Sequence, residues 1–197
     1  MPNSQHMLIL ETPRLILRPF QDSDLEPFVA YRSDPEVARY QGWEAPYSVE
    51  SAREFIAEMK HKQPAVQGEW YQLAVELKQG APLIGDCAFH ILAHDARQAE
   101  IGCTLARQHQ RQGYAFEAVT RLLDYLFRDL GLHRVIASCD VDNLASVRLL
   151  ERVGMRREAH CVENIWFKGA WGSEYLYALL QREWAGSPGN TSPEIAR

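Results

Sequence analysis

The sequence QRQGYA at residues Gln110–Ala115 decides the fold of this 197-residue chain. It stands between a short apolar segment, 101–105, and a long amphipathic segment, 116–130. This order predicts a strand, a turn that contains a glycine, and the start of a helix. Backbone N–H groups at a helix start have no intrahelical partners, and the helix dipole favours negative charge there. The stretch therefore predicts a cradle for a pyrophosphate.

The segments on either side predict a mixture of strands and helices. Alternating or β-branched segments predict strands, and apolar residues at spacings of three and four predict helices. Strands are predicted at 14–20, 70–77, 82–91, 99–105 and 134–139, with two or more between 155 and 180 and a turn near Lys168-Gly169. Helices are predicted after caps at Asp22 or Ser23 (with Glu26 completing a capping box from Ser23) and at Ser48, over 116–130 up to Gly131, and over 143–152.

The order of these segments predicts an α/β (α+β) fold. A strand, a long helix and another strand in succession imply a right-handed crossover and a parallel pair. We expect one domain, residues 8–185, with a mixed, mostly antiparallel twisted sheet of about seven strands flanked by about four helices. The termini, 1–7 and 186–197, are expected to be flexible. Neither an early glycine trio nor a glycine followed by Lys-Ser or Lys-Thr occurs, which excludes the Rossmann and P-loop fingerprints.

Composition narrows the class of ligand and the compartment. The formal net charge of −5, without a dominant basic stretch, argues against nucleic acid as a direct partner. The four cysteines are widely spaced and the seven histidines do not repeat at ligand spacing, so neither a disulfide framework nor a metal site is expected. No apolar run approaches the roughly 20 residues that span a bilayer. We therefore expect a cytoplasmic protein without membrane association.

Several motifs together resemble one family. Gln110-x-x-Gly113-x-Ala115 is similar to the Gln/Arg-x-x-Gly-x-Gly/Ala signature of the GNAT superfamily of acetyl-CoA-dependent N-acetyltransferases. Further segments resemble its ribosomal-protein N-terminal acetyltransferase branch: ETPRLILRPF at 11–20, Glu100-Ile101-Gly102, Asn143-x-x-Ser146, LLERVGM at 149–155, and Tyr177-x-Leu179 before Glu183-Trp184. The resemblance covers about residues 11–184, and its motifs occur in the same order.

The resemblance implies acetyl-CoA as co-substrate and no metal. Amides of the loop would bind the pyrophosphate, and Gly113 lets the backbone approach it closely. Arg111 would add a charge-assisted contact. The family places the amide-bearing arm beside the strand that ends at 103–105. The candidate cofactor-binding residues are Cys103, Thr104, Leu105, Gln110, Arg111, Gln112, Gly113, Tyr114, Ala115, Asn143 and Ser146.

Acetyl transfer to an amine needs a proton acceptor, because a free alkylamine with a pKa near that of lysine, about 10.4, is mostly protonated at pH 7. Glu100, at the start of the predicted cofactor strand, is the first candidate base, since the family often has a carboxylate there. Glu69, ahead of the strand at 70–77, is the second. The alternative for either carboxylate is a solvent-exposed charge without a catalytic role. The backbone N–H of Cys103 or Thr104 would polarise the thioester carbonyl.

The leaving thiolate needs a proton donor. Many superfamily members carry a tyrosine at the position that Leu150 occupies here, so this chain departs from the commonest general acid. The ribosomal branch has a serine on the short helix, which matches Ser146. Asn143 would hold the pantetheine arm or phosphates, although it also fits a helix cap. Trp43, in a loop that borders the acceptor in this family, is a candidate for lining the amine pocket.

The resemblance implies transfer of the acetyl group to a primary amine by direct attack. The acceptor stays open between a protein N-terminal α-amine, as in the ribosomal-protein type, and a small-molecule amine. The alternative is a catalytically idle acyl-CoA-binding or sensory module. The chain is expected to be a monomer or a homodimer.

Overall fold

One sheet of eight strands runs through the computed structural model, which describes residues 7–185. The strands are β1 (Leu10–Glu11), β2 (Leu15–Arg18), β3 (Trp70–Leu77), β4 (Ala81–Ile91), β5 (Gln98–Leu105), β6 (Arg134–Asp140), β7 (Arg156–Phe167) and β8 (Ala170–Leu180). Their spatial order is β1-β2-β3-β4-β5-β6-β8-β7. Only β5 and β6 pair in parallel among these strands. The predicted fold class is confirmed, and the additional strand, β1, is too short to leave an alternating pattern.

Six α-helices accompany the sheet within the described residues. They are α1 (Leu25–Arg32), α2 (Pro35–Ala38), α3 (Val49–His61), α4 (Tyr114–Asp124), α5 (Leu144–Arg152) and α6 (Gln181–Ala185). A π-helical turn, Tyr125–Asp129, continues α4. The four predicted helices correspond to α1, α3, α4 and α5, whereas α2 and α6 are too short for a periodic pattern. No helix in residues 7–185 is both long and apolar enough to cross a bilayer.

The two predicted N-caps have different outcomes. At α3 the cap is confirmed, because the Ser48 side chain accepts a hydrogen bond from the Ser51 amide at 3.0 Å. At α1 the expected box of Ser23 and Glu26 is wrong. A short 3₁₀ turn precedes the helix there, and Asp24 accepts from the Gln21 amide at 2.8 Å. Asp24 is also bound by the Arg18 guanidinium of β2, six residues earlier, and this contact fixes the position of the carboxylate.

Two apolar clusters lie on opposite faces of the sheet. Leu73 and Val75 of β3 belong to the first cluster and Ala74, between them, to the second, as alternation along a strand requires. The first cluster includes the buried residues of α4, and the second includes those of α1 and α3. The part of the sheet that contacts these helices is therefore covered on both faces, whereas β7 and the start of β8 are largely exposed.

The two parallel strands separate after a short paired stretch. Their pairing extends only from Gln98–Arg134 to Glu100–Ile136. Beyond this point β5 continues to Leu105 and β6 to Asp140 without further pairing to each other. The two strands therefore open into a V at the middle of the sheet. The helix α4 follows the end of β5, and α5 follows the end of β6. The predicted flexible ends, 1–7 and 186–197, lie outside the described residues apart from Met7.

Candidate active site

The predicted phosphate cradle is a tight loop at the start of α4. Gly113 is the N-cap of this helix, with a left-handed φ of 83°, and Arg111 is also left-handed with a φ of 61°. The Gln110 side-chain amide donates to the Leu105 carbonyl at 3.0 Å, which ties the loop to the end of β5. Backbone N–H groups in the first turn of a helix lack intrahelical partners, so this loop can present them to an anion.

Arg14, which sequence reasoning did not single out, braces the cradle. Its guanidinium donates to the Gln112 carbonyl at 3.1 Å and to the Glu117 carboxylate at 2.6 Å. It also lies over the Tyr114 ring, 4.5 Å from the centroid. A Cβ atom on Gly113 would approach the Arg14 side chain to 3.3 Å. Arg14, which directly precedes β2, thus holds the cradle from the outside. In the sequence, Arg14 was marked only as part of the ETPRLILRPF segment.

The V between β5 and β6 contains a cavity of about 150 Å³. Residues of both strands and of α5 line it, among them Ile101, Gly102, Cys103, Ala137, Ser138, Cys139, Asp140, Asn143, Ser146 and Leu150. We refer to this cavity as the cleft. Peptide groups of β5 that no longer pair with β6 are available to an amide-bearing chain, which can take the place of a strand.

Two predicted residues of α5 meet at the cleft. The Asn143 side-chain oxygen accepts from the Ser146 amide at 3.2 Å, so Asn143 is the N-cap of α5. Both side chains also line the cleft and are half-buried. Capping and cleft lining are therefore compatible, because the first turn of α5 points at the cleft. Leu150, where the resemblance implied a departure from the commonest general acid, lines the cleft as a buried aliphatic side chain.

A second cavity, of about 200 Å³, adjoins the cleft. It is lined by Gln41, Trp43, Trp70, Gln72, Asp86, Ala88, Gly102, Cys103 and Thr104, and we call it the acceptor cavity. Gln41, Gly102 and Cys103 line both cavities. A group held against Gly102 and Cys103 from the cleft would therefore face the acceptor cavity directly.

A loop between α2 and α3 forms one wall of the acceptor cavity. The Trp43 indole N–H donates to the Arg32 carbonyl at 3.0 Å. Lys168, in the turn between β7 and β8, donates to the Trp43 carbonyl at 2.7 Å and to the Ala38 carbonyl at 2.9 Å. Trp43 lies at the predicted place beside the cavity, and Lys168 fixes the loop from a segment more than a hundred residues away in sequence.

The two glutamates chosen as candidate bases lie outside both cavities. Glu100 occupies the last paired position of β5, beside His90 of β4, and is half-buried. Burial raises the pKa of its carboxyl, His90 opposes this shift, and Glu174 adds to it. Glu69 is exposed in the turn ahead of β3. Neither is among the residues that line the cleft or the acceptor cavity, so their catalytic roles stay predictions.

A buried carboxylate that sequence reasoning missed lies in the acceptor cavity. Asp86 of β4 is 2% exposed. It accepts hydrogen bonds from the Tyr31 hydroxyl and, at 3.0 Å, from the Gln72 amide. The nearest Arg32 nitrogen is 3.9 Å away. Burial raises the pKa of Asp86, and Arg32 opposes this shift. The only signal in the sequence was a single carboxylate within an apolar strand.

Comparison with known proteins identifies the family of this chain. The Acetyltransferase (GNAT) domain family matches residues 14–156. The chain belongs to the GNAT family of acetyltransferases. The uncharacterized N-acetyltransferase p20 of Bacillus licheniformis is 33% identical over 180 residues, which cover 91% of this chain and all of that protein. A GNAT-family acetyltransferase structure from Bacillus anthracis has a TM-score of 0.78 at 31% identity and covers 89% of this chain and 100% of that one.

Two further GNAT relatives have named acceptors. The structure of spermidine N-acetyltransferase from Vibrio cholerae in complex with CoA and spermine has a TM-score of 0.75 at 27% identity, covering 89% of this chain and 100% of that one. The ribosomal protein uS5-alanine N-acetyltransferase of Escherichia coli is 30% identical over 84 residues, which cover 43% of each protein. The present chain is thus an N-acetyltransferase of a family that uses acetyl-CoA.

Proposed function

We propose that the protein transfers the acetyl group of acetyl-CoA to a primary amine by direct attack, with the amine entering through the acceptor cavity. One observation carries the proposal: the cleft and the acceptor cavity meet at Gly102 and Cys103. A thioester and an amine held on the two sides of this point would be in contact. Such proximity supplies a large part of the rate of an otherwise bimolecular reaction.

On the cofactor side, we assign the loop Gln110–Ala115 to the pyrophosphate and the unpaired part of β5 to the pantetheine arm. The thioester carbonyl would accept from the backbone N–H of Cys103 or Thr104. One such donor contributes about 3 kcal/mol to stabilisation of the developing oxyanion. Ser146, on the opposite wall of the cleft, would donate to the departing sulfur.

On the acceptor side, the relatives indicate two classes of amine. One is a protein N-terminal α-amine, by analogy with the uS5-alanine enzyme, and the other is a small polyamine, by analogy with the spermidine enzyme. The acceptor cavity, about 200 Å³, is large enough for an aminoalkyl group or one small residue with its amino terminus. Both classes present a cationic amine, so the Asp86 carboxylate in the cavity would suit either class, and a direct comparison of amines decides between them.

The test is acetylation of an amine panel followed by mass spectrometry. The panel contains peptides with free N-termini, spermidine, spermine and aminoglycosides, each incubated with the full chain and acetyl-CoA. We expect free thiol to appear together with a product heavier by one acetyl group. Binding of acetyl-CoA without acetylation of any amine would contradict the proposal and favour the catalytically idle acyl-CoA-binding alternative.

Lys168→Ala is expected to raise the KM of the acceptor amine several-fold and to leave the Kd of acetyl-CoA unchanged. The substitution removes two charge-assisted hydrogen bonds that fix the wall around Trp43, each worth about 1.5–3 kcal/mol. Steady-state kinetics and calorimetric binding measure the two quantities. Lys78→Ala, which removes an exposed ion pair with Glu11 at a distant turn, is the matched control. Equal KM values for the two variants would contradict the assigned role of this loop.

A further inference from the structure

Asp86 is held in place by a close approach of β4 to β5. The residue before it, Gly85, lies so near to β5 that a Cβ atom there would be 2.1 Å from the Thr104 carbonyl oxygen. Asp86 itself is in register with Thr104. Directly opposed residues of an antiparallel pair project to the same face of the sheet. The carboxylate therefore shares the acceptor-cavity face with Thr104, next to the point where the two cavities meet.

The Asp86 carboxylate keeps capacity for a further hydrogen bond. An ionised carboxylate offers about four acceptor positions. Tyr31 occupies one on Oδ2 and Gln72 one on Oδ1. Arg32, at 3.9 Å, is beyond hydrogen-bond distance. Each oxygen therefore retains a position, and the cavity is the open side from which a donor can reach it.

The charge of Asp86 is only partly compensated. Arg32, the cation nearest to it among residues 7–185, lies among aromatic rings, with its guanidinium carbon 4.0–5.2 Å from the centroids of Phe28, Trp43, Tyr47 and Phe55. The Arg32 Nε atom is buried without a hydrogen-bond partner. This guanidinium is thus committed to the rings rather than to a close pair with the carboxylate. A second cation in the cavity would be attracted to Asp86.

We propose that Asp86 takes the proton of the acceptor's ammonium group and is the catalytic base of the transfer; this inference rests on the proposed function. An N–H bond of the ammonium breaks and an O–H bond forms on Asp86. The freed lone pair of the nitrogen attacks the thioester carbon. The C–S bond breaks as the tetrahedral intermediate collapses, and the second amine proton passes to the sulfur directly or through Ser146. Asp86 then returns its proton to water.

The surroundings of Asp86 suit this step. The titratable and charged groups that face it are Tyr31 and Arg32 from α1, whereas the thiols of the adjacent Cys87 and of Cys103, which are opposed to each other, project to the other face of the sheet. Burial raises the pKa of the Tyr31 phenol, so this group stays a neutral donor. Burial also raises the pKa of Asp86 and so narrows the difference between this carboxyl and an amine. Glu100 and Glu69, the candidate bases predicted from the sequence, cannot reach an amine in the acceptor cavity in this way, because neither lines the cleft or the acceptor cavity.

Asp86→Asn keeps the size of the side chain and removes its basicity. With the amine found in the panel, we expect kcat/KM to fall at least tenfold and the acidic limb of its pH profile to disappear. The Kd of acetyl-CoA should not change. Asp24→Asn is the matched control, because Asp24 is an equally buried carboxylate, paired with Arg18 and absent from the residues that line both cavities. This control should keep the wild-type pH profile.

Tyr31→Phe tests the same proposal without altering the carboxylate. The Tyr31 hydroxyl bond lowers the pKa of Asp86, so its removal should move the acidic limb of kcat/KM to higher pH. An unmoved limb, an unchanged profile in Asp86→Asn, or loss of the limb in Glu100→Gln would each overturn the inference and leave the proposed function intact. A wild-type protein that acetylates no amine would overturn both.

Discussion

Gly113→Val is expected to raise the Kd of acetyl-CoA at least about 100-fold, which corresponds to about 2.7 kcal/mol of binding free energy. Two effects combine at this position. The left-handed backbone, with φ of 83°, strains any β-branched residue, so the loop would relax into another conformation. The added side chain would also meet the Arg14 guanidinium that braces the loop, and it would stand where the diphosphate approaches the amides. Calorimetric titration with acetyl-CoA measures the effect.

Gly131→Val separates loss of the cradle from loss of fold. Gly131 follows the same helical segment at its far end and is also left-handed, with φ of 66°. A Cβ atom there would meet nothing within 4 Å. Both variants carry a similar backbone strain of about 1–3 kcal/mol. We expect both to unfold at lower temperature and only Gly113→Val to lose cofactor binding. Normal acetyl-CoA binding by Gly113→Val would contradict the assignment of the loop to the pyrophosphate.

Ser146→Ala is expected to lower kcat about 100-fold, at the lower end of what a positioned proton donor contributes. The Kd of acetyl-CoA should change less than about threefold, because one neutral hydrogen bond contributes about 1 kcal/mol or less to binding. The difference between the two quantities is the diagnostic feature. A residue that merely lines the cleft would change Kd and kcat by similar amounts, whereas a donor to the leaving sulfur acts mainly in the transition state.

The control for this variant is Ser51→Ala. Ser51 occupies the third position of α3, and its amide donates to the N-cap Ser48, as the amide of Ser146 donates to Asn143 in α5. Both serines therefore occupy the same position of a capped helix, and Ser51 in addition accepts a hydrogen bond from the Ser48 hydroxyl. Of these two serines, Ser146 lines the cleft and Ser51 does not. Kinetic constants of Ser51→Ala should match those of the wild type, and an unchanged kcat in Ser146→Ala would exclude this serine from the mechanism.

Local patterns predicted the parts of the fold that depend on short segments. The strand at 70–77 has the predicted bounds, because its alternation matches the two apolar clusters on opposite faces. The parallel pair followed from the order of one strand, one long helix and another strand. The turn at Gly113 and the cap at Asn143 followed from residue types with strong conformational preferences.

Contacts between distant segments account for what the sequence left unpredicted. Asp86 enters the acceptor cavity only because β4 pairs with β5 in the register that opposes it to Thr104. Arg14 reaches the cradle only because β2 lies near the start of α4. The cap at α1 differs for a more local reason, because Arg18, six residues earlier, binds Asp24. A single sequence does not specify such a register, so it indicates only Glu100 and Glu69 as candidate bases.

A crystal structure of the full chain with acetyl-CoA tests the central claim most directly. We expect the diphosphate oxygens to accept hydrogen bonds from backbone amides between Arg111 and Ala115. The arm should follow β5 through the V, with the thioester beside Cys103 and the acetyl group facing Asp86. A cofactor bound at another surface, or no cofactor bound at saturating concentration, would contradict the account.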